Sequence, residues 1–132
     1  MSKPAVILDT NVFVAAGFNP KSGSAQIIDE IRSADLKLVW NEATRRESKA
    51  VVEQIPPLAW QAFADLFREE GRYRGIIDPE AMSYVPDPAD RKFAALAKAC
   101  DAALITNDDD LLIHRDQADV FIVRPDEFFQ RR

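Results

Sequence analysis

Four short apolar runs set the rhythm of the chain: Ala5-Val6-Ile7-Leu8, Leu36-Lys37-Leu38-Val39-Trp40, Ala102-Ala103-Leu104-Ile105-Thr106 and Val120-Phe121-Ile122-Val123. Runs of this length with little polar alternation are what strands buried on both faces of a parallel sheet require. Between them the apolar spacing becomes helical. The segment after Asp9 can wind into a helix toward Gly17. Ile27, Ile28 and Ile31 line a helix to about Ser33 for which Ser24 is the expected cap, and Asn41 is the expected cap of a helix to about Gln54. Pro56-Pro57 closes that helix, and Pro57 can open another over 58–72, with Trp60, Phe63, Ala64 and Phe67 on one face. Those aromatics read as a core stripe in preference to a base-stacking platform. Gly71 to Val85 reads as an irregular connection with a short strand at Ile76-Ile77. Asp87-Pro88-Ala89-Asp90 starts a helix to about Cys100, Asn107 to Asp110 leads into a short one through Leu111, Leu112 and Ile113, and Pro125 to Gln130 forms the last. Strands alternating with helices predict an α/β fold: a parallel sheet with right-handed crossovers and helices on both faces.

A length of 132 residues suits one domain, 1–132, with a sizeable core. No apolar run approaches the roughly 18 residues of a membrane span, and Met1 to Pro4 leaves no room for a secretory signal, so a cytoplasmic protein is expected. Cys100 and His114 are the only residues of their types. That excludes an internal disulfide and a cysteine zinc cluster, and disfavours a histidine zinc site or a Ser-His-Asp triad. His114 reads as a surface residue near a helix end. A formal net charge of −5 argues against loose binding of nucleic acid over the whole surface. A local basic rim around an acidic, metal-neutralised site is compatible with it.

The acids fall where charge patterning alone would not put them. Asp9 ends a buried strand, where open α/β sheets hold ligands, although it also suits a helix cap. On the helix after Asn41, Glu47 shares a stripe with Ala43, Ala50, Val51 and Ile55, while Glu42 and Glu53 lie off it. A carboxylate on an inward face needs either a metal or an ion pair, with Arg46 or a distant Arg as candidate partners. Asp90 precedes an apolar face of Phe93, Ala94, Ala97 and Cys100, and so points inward, although an acid in a first turn also suits the helix dipole. Asp87 is assigned to capping. Asp108, Asp109 and Asp110 repel one another, which a cation would relieve. Asp108 stands just past a strand end, Asp110 can share its cavity, and Asp109 faces water. Oxygen ligands without Cys or His suit Mg²⁺ or Mn²⁺, the cations of phosphodiester hydrolysis by activated water.

Leu8-Asp9-Thr10-Asn11-Val12, Glu47 on a helix, Asp87-Pro88-Ala89-Asp90-Arg91-Lys92-Phe93 followed by Leu96-Ala97, and Leu104-Ile105-Thr106-Asn107-Asp108-Asp109-Asp110-Leu111-Leu112 stand in an order that resembles the PIN domain (PilT N-terminus) family. The nearest branch is the VapC-like ribonucleases, toxin components of bacterial toxin–antitoxin modules. No single motif is specific, but the ordered set is, and it covers nearly the full chain. The resemblance implies an α/β/α sandwich with a central parallel sheet, an Mg²⁺- or Mn²⁺-dependent endoribonuclease acting on RNA, a homodimer, and inhibition by a cognate antitoxin. Carried over by position, it implies that Asp9, Glu47, Asp90 and Asp108 are the catalytic, metal-binding quartet. Asp110 would be an auxiliary metal ligand, and Asn11 and Thr106 would orient the carboxylates. Many relatives carry a small or glycine-like residue where Asn107 stands. Arg45, Arg46 and Arg91, with Lys49 and Lys92, flank the quartet and would contact RNA phosphates, although solvated helix faces explain them equally well. A basic antitoxin segment would be drawn to the same cleft.

Three other readings are weaker or differ in class. A haloacid-dehalogenase-like phosphatase wants a second acid where Asn11 stands. A receiver domain wants a Lys after a late strand, where only Asn and Asp follow Thr106. The alternative of another class is a PIN-like module that binds RNA or a protein without cleaving.

Overall fold

Residues 3–131 are described by the computed structural model. Four parallel strands, β1 (Ala5–Leu8), β2 (Lys37–Leu38), β3 (Ala103–Ile105) and β4 (Ile122–Val123), lie in the order β2-β1-β3-β4. The helices are α1 (Thr10–Phe18), α2 (Gly23–Arg32), α3 (Glu42–Glu53), α4 (Arg91–Cys100), α5 (Asp109–Leu112) and α6 (Pro125–Arg131). Alternation along the strands divides the core in two. Val6, Leu8, Leu38, Ile105 and Val123 face a layer that holds Val12 and Phe13 of α1, the α2 isoleucines, Val52 of α3 and Phe128 of α6. Ile7, Leu104 and Ile122 face the opposite layer, which contains Phe93 to Ala97 of α4 together with Leu111 and Leu112 of α5. The register, Val6↔Ala103, Ile7↔Leu104 and Leu8↔Ile105, keeps like-facing residues abreast. The expected α/β fold, with helices on either side of a parallel sheet, is what forms.

The chain leaves β1 for β2 on one side and returns to β3 on the other, so the sheet changes direction between β1 and β3. Open α/β sheets place a crevice at the carboxyl ends of the strands at such a point. Asp9 follows β1 and Thr106 to Asp108 follow β3, on the two rims of that crevice.

Several elements differ from the sequence expectation. The stretch 58–72 is not an α-helix but three 3₁₀ turns, Trp60–Ala62, Ala64–Leu66 and Glu69–Gly71. Its aromatics are core all the same: Trp60, Phe63 and Phe67 surround Phe13 at ring-centroid distances of 6.3, 5.3 and 5.7 Å. Attachments to the sheet edge explain the irregular path. Trp40 Nε1 donates to the Arg68 carbonyl at 2.8 Å, and Trp40 N donates to that of Gly71 at 3.0 Å. Gly71 lies so close to β2 that a Cβ there would come within 1.9 Å of the Leu38 carbonyl oxygen. β2 itself is shorter than 36–40 because Trp40 turns from β1 to a single bridge with Arg72. Ile76-Ile77 forms no strand, and Ile76 is exposed. Ser22, not Ser24, caps α2 through Ala25 N at 3.1 Å. On α3 the inward face is Thr44, Ser48 and Val52, while Ala43 and Ala50 are exposed, so the alanine stripe expected there does not face the core. Among the described residues no helix is long and apolar enough to cross a membrane.

Phe13 touches all three aromatics and is almost fully buried. Truncation to Ala removes those contacts and leaves a cavity, an expected loss of about 3–5 kcal/mol in urea denaturation. A loss below about 1 kcal/mol would mean that the cluster collapses around the gap.

Candidate functional site

Asp9 continues β1 by one backbone bond, its N–H to the Ile105 carbonyl at 3.0 Å, and then starts α1. Its side chain is only 5% exposed. One carboxylate oxygen accepts from Thr10 N at 2.7 Å. The other accepts from Thr106 Oγ1 at 2.8 Å and Asn11 Nδ2 at 3.3 Å. The capping bond and the bonds to Thr106 and Asn11 therefore fall on different oxygens of one residue.

Neighbouring bonds fix the direction of these donors. The Asp108 N–H donates to Thr106 Oγ1 at 2.9 Å, so the hydroxyl must accept there and spend its single proton on Asp9. The Asn107 N–H donates to Asn11 Oδ1 at 3.1 Å, which settles the Asn11 amide with its NH₂ toward Asp9. Asn107 in turn donates to buried Ser24 at 3.0 Å, tying the loop after β3 to α2. Asp108 caps α5 by accepting from Asp110 N at 2.9 Å.

The far wall comes from α3 and from the start of α4. Thr10 and Ser48 share a hydroxyl–hydroxyl bond of 2.9 Å that seats α3 against α1, with Glu47 beside it. Asp87 caps the turn Pro88–Asp90 through Ala89 N at 2.9 Å, and Asp90 is half-buried at its end. Lys92 Nζ lies 2.6 Å from Glu47 Oε1 and 2.6 Å from the Ala89 carbonyl oxygen.

These walls enclose an open cleft of 390 Å³ whose acids are Asp9, Glu47, Asp87, Asp90 and Asp108, with Asn11 among the lining. Thr106 is fully buried behind Asp9. Asp110 does not line the cleft and is exposed on α5. Nor do the arginines line it: Arg45 pairs with Glu42 at 2.7 Å, Arg91 Nε donates to the Val85 carbonyl at 2.9 Å, and Arg46 is exposed on α3. His114, half-buried, is also outside. Sequence reasoning gave Asp87 only a capping role, although its i, i+3 spacing to Asp90 was a usable signal. The partner of Glu47 is Lys92, not Arg46, and nothing in the sequence marks that pair.

Burial, foremost, and then the charges of Asp108 and Glu47 raise the Asp9 carboxyl to about 6, against the pull of its bonds to Thr106 and Thr10. Asp90 is raised to about 7, again first by burial and then by Asp9, Asp87, Asp108 and Glu47. An all-oxygen donor set without His or Cys fits a hard divalent cation. Among the described residues no three such groups are close enough to share one ion as they stand, so the fit rests on donor chemistry and not on a closed ligand shell.

These shifts make stability depend on pH in protein stripped of divalent cations. A carboxyl raised in the folded state binds its proton more tightly there than in the unfolded chain, so its ionisation costs stability as pH rises through the folded value. Asp90→Asn removes that cost. The stripped variant is expected to melt above wild type, by a margin that grows between about pH 4 and about pH 7 and levels off above. A margin independent of pH would refute the strained-acid description of the cleft.

Among solved structures the chain is similar to a chain of FitAB bound to an IR36 DNA fragment, with 20% identity over 91% of this chain and 94% of that one at a TM-score of 0.60. It is similar to one of FitAcB from Neisseria gonorrhoeae, with 22% identity over 91% and 97% at a TM-score of 0.59. A third is VapBC2 from Rickettsia felis bound to a DNA fragment from their promoter, with 18% identity over 91% and 97% at a TM-score of 0.57. At such identities the likeness speaks to the fold. No curated protein matches the sequence. The PIN domain family model matches residues 5–110, a span that carries every acid of the cleft. The chain belongs to the PIN domain family.

Proposed function

We propose that this protein is a Mg²⁺- or Mn²⁺-dependent endoribonuclease, the toxin of a toxin–antitoxin module, working as a single PIN-like domain. The observation that carries the reading is the convergence of Asp9, Glu47, Asp90 and Asp108 in one cleft at the switch point of the sheet, two of them with raised carboxyls. Five acids facing one space repel a phosphodiester as well as one another, and a hard cation reverses both effects. When bound, it supplies charge neutralisation at the phosphate and a more acidic water.

Asp9, Asp90 and Asp108 would hold the ion, with Glu47 as the fourth acid of the wall. Thr106 and Asn11 hold one oxygen of Asp9 in place, while Thr10 N holds the other. Asp108 is positioned by its own N–H on Thr106, so one hydroxyl sets the spacing of two acids. Arg45, Arg46 and Arg91 lie outside the cleft and would meet RNA only beyond it. The resemblance to VapC-like toxins, with the likeness in fold to the VapBC2 and FitAB complexes, supports an antitoxin partner, a homodimer and a cytoplasmic site of action.

A second reading, a PIN-like module that binds RNA or protein without cutting, is favoured by the absence among the described residues of three acids close enough to share an ion. Cleavage of a labelled RNA separates the two. The nuclease reading expects cutting with Mg²⁺ or Mn²⁺ that stops with EDTA and is lost in Asp9→Asn and Asp90→Asn, both still folded by circular dichroism. Asn11→Ala, which loosens Asp9 without removing it, is expected to cost about 10–100-fold. Cutting that survives EDTA or Asp90→Asn would overturn the site. RNA retained but uncut in every cation would leave the binding module.

A further inference from the structure

Lys92 stands in the first turn of α4, two residues beyond Asp90, yet it does not line the cleft. It binds two residues that do. Its ammonium lies 2.6 Å from Glu47 Oε1 and 2.6 Å from the Ala89 carbonyl oxygen, and 5.8 Å from the ring centroid of Phe93, which is fully buried. Both ends of the ion pair are largely shielded, with side-chain exposures of 24% for Lys92 and 26% for Glu47, so salt screens the pair less than an open surface pair. A carboxylate oxygen and a backbone carbonyl oxygen are also the ligands that a hard divalent cation takes. The ammonium occupies the donor set that such an ion would use on this side of the cleft.

We propose that Lys92 stands in the place of a second divalent cation: it withholds Glu47 from the metal, so that the cleft takes one ion, on the side of Asp9, Asp90 and Asp108. This inference rests on the nuclease reading of the cleft. A bound metal exchanges with solvent, whereas the Lys92 ammonium is tethered to α4. It joins α3 to α4 whether or not the other side of the cleft is loaded. Without it, Glu47 returns its charge to a wall that already holds Asp87 and Asp90, and that side of the cleft becomes a place for a divalent ion.

The test counts Mn²⁺ bound per folded chain by electron paramagnetic resonance of the free ion, with Mn²⁺ as the only added ligand. Wild type is expected to bind one ion, and Lys92→Met, which keeps the length of the side chain and drops its charge, two. Glu47→Gln is expected to keep the single ion, and the double variant Lys92→Met/Glu47→Gln to fall back to one. Two ions on wild type, or one on folded Lys92→Met, would overturn the proposal. So would loss of the ion from Glu47→Gln, which would make Glu47 a ligand in the wild-type protein and decides the matter even if Lys92→Met fails to fold. No ion on wild type would instead sink the metal-dependent reading, and this inference with it.

Discussion

A carboxylate at the end of a central strand, in contact with the segment that follows β3, is costly to ionise unless every oxygen is held. Asp9 is held by three donors, and its place depends on one of them above all: the Thr106 hydroxyl, which gives its proton to Asp9 while accepting the Asp108 N–H. Each unmet bond at such a buried group would cost on the order of 1–3 kcal/mol. The arrangement requires β1 and β3 to be parallel, adjacent and in register at Leu8↔Ile105, so that residues one step beyond the two strands meet. The continuous apolar runs of both strands secure that register by burying both faces of the sheet. Packing and site are thus one constraint seen from two ends.

The second support of the cleft is lateral. α3 presents to α1 a face of Thr44, Ser48 and Val52, and the Ser48–Thr10 bond seats it there. Glu47, one residue earlier, is thereby turned to the cleft, where Lys92 of α4 meets it. The acidity of the molecule is consequently uneven in its effects. Glu42 is lowered, chiefly by its hydrogen bond with Arg45, whereas Asp9 is raised by burial and then by Asp108 and Glu47, and Asp90 by burial and then by Asp9 and the other acids of the cleft. A net charge of −5 says little about a cleft in which five acids share one space. Their donor chemistry, oxygen without His or Cys, is what suits a hard cation.

Much of this was legible along the chain. The strands announced themselves as unbroken apolar runs, because burial on both faces leaves no polar alternation. Asn41 and Asp87 were readable as caps, because a cap bonds a backbone N–H only two or three residues away. The order of acids around Asp9, Glu47, Asp90 and Asp108 was enough to suggest the family, and the family model spans them. Where expectation failed, a distant partner was responsible. Trp60, Phe63 and Phe67 have helical spacing, but Trp40 and Ile31 draw the backbone of 58–72 into 3₁₀ turns. Ala43 and Ala50 looked like an inward stripe, but the surface that α3 meets is a hydroxyl of α1.

The sequence by itself determined the four strands, the helices that flank them and the class of the fold, because apolar periodicity and capping act within a few residues of one another. Only the tertiary structure decided which side chains share the cleft. Asp9 meets Thr106 across 97 positions and Glu47 meets Lys92 across 45, while Asp110, beside Asp108 in the chain, is turned away to solvent. Such pairings depend on strand order, register and helix seating, and local sequence carries no record of them.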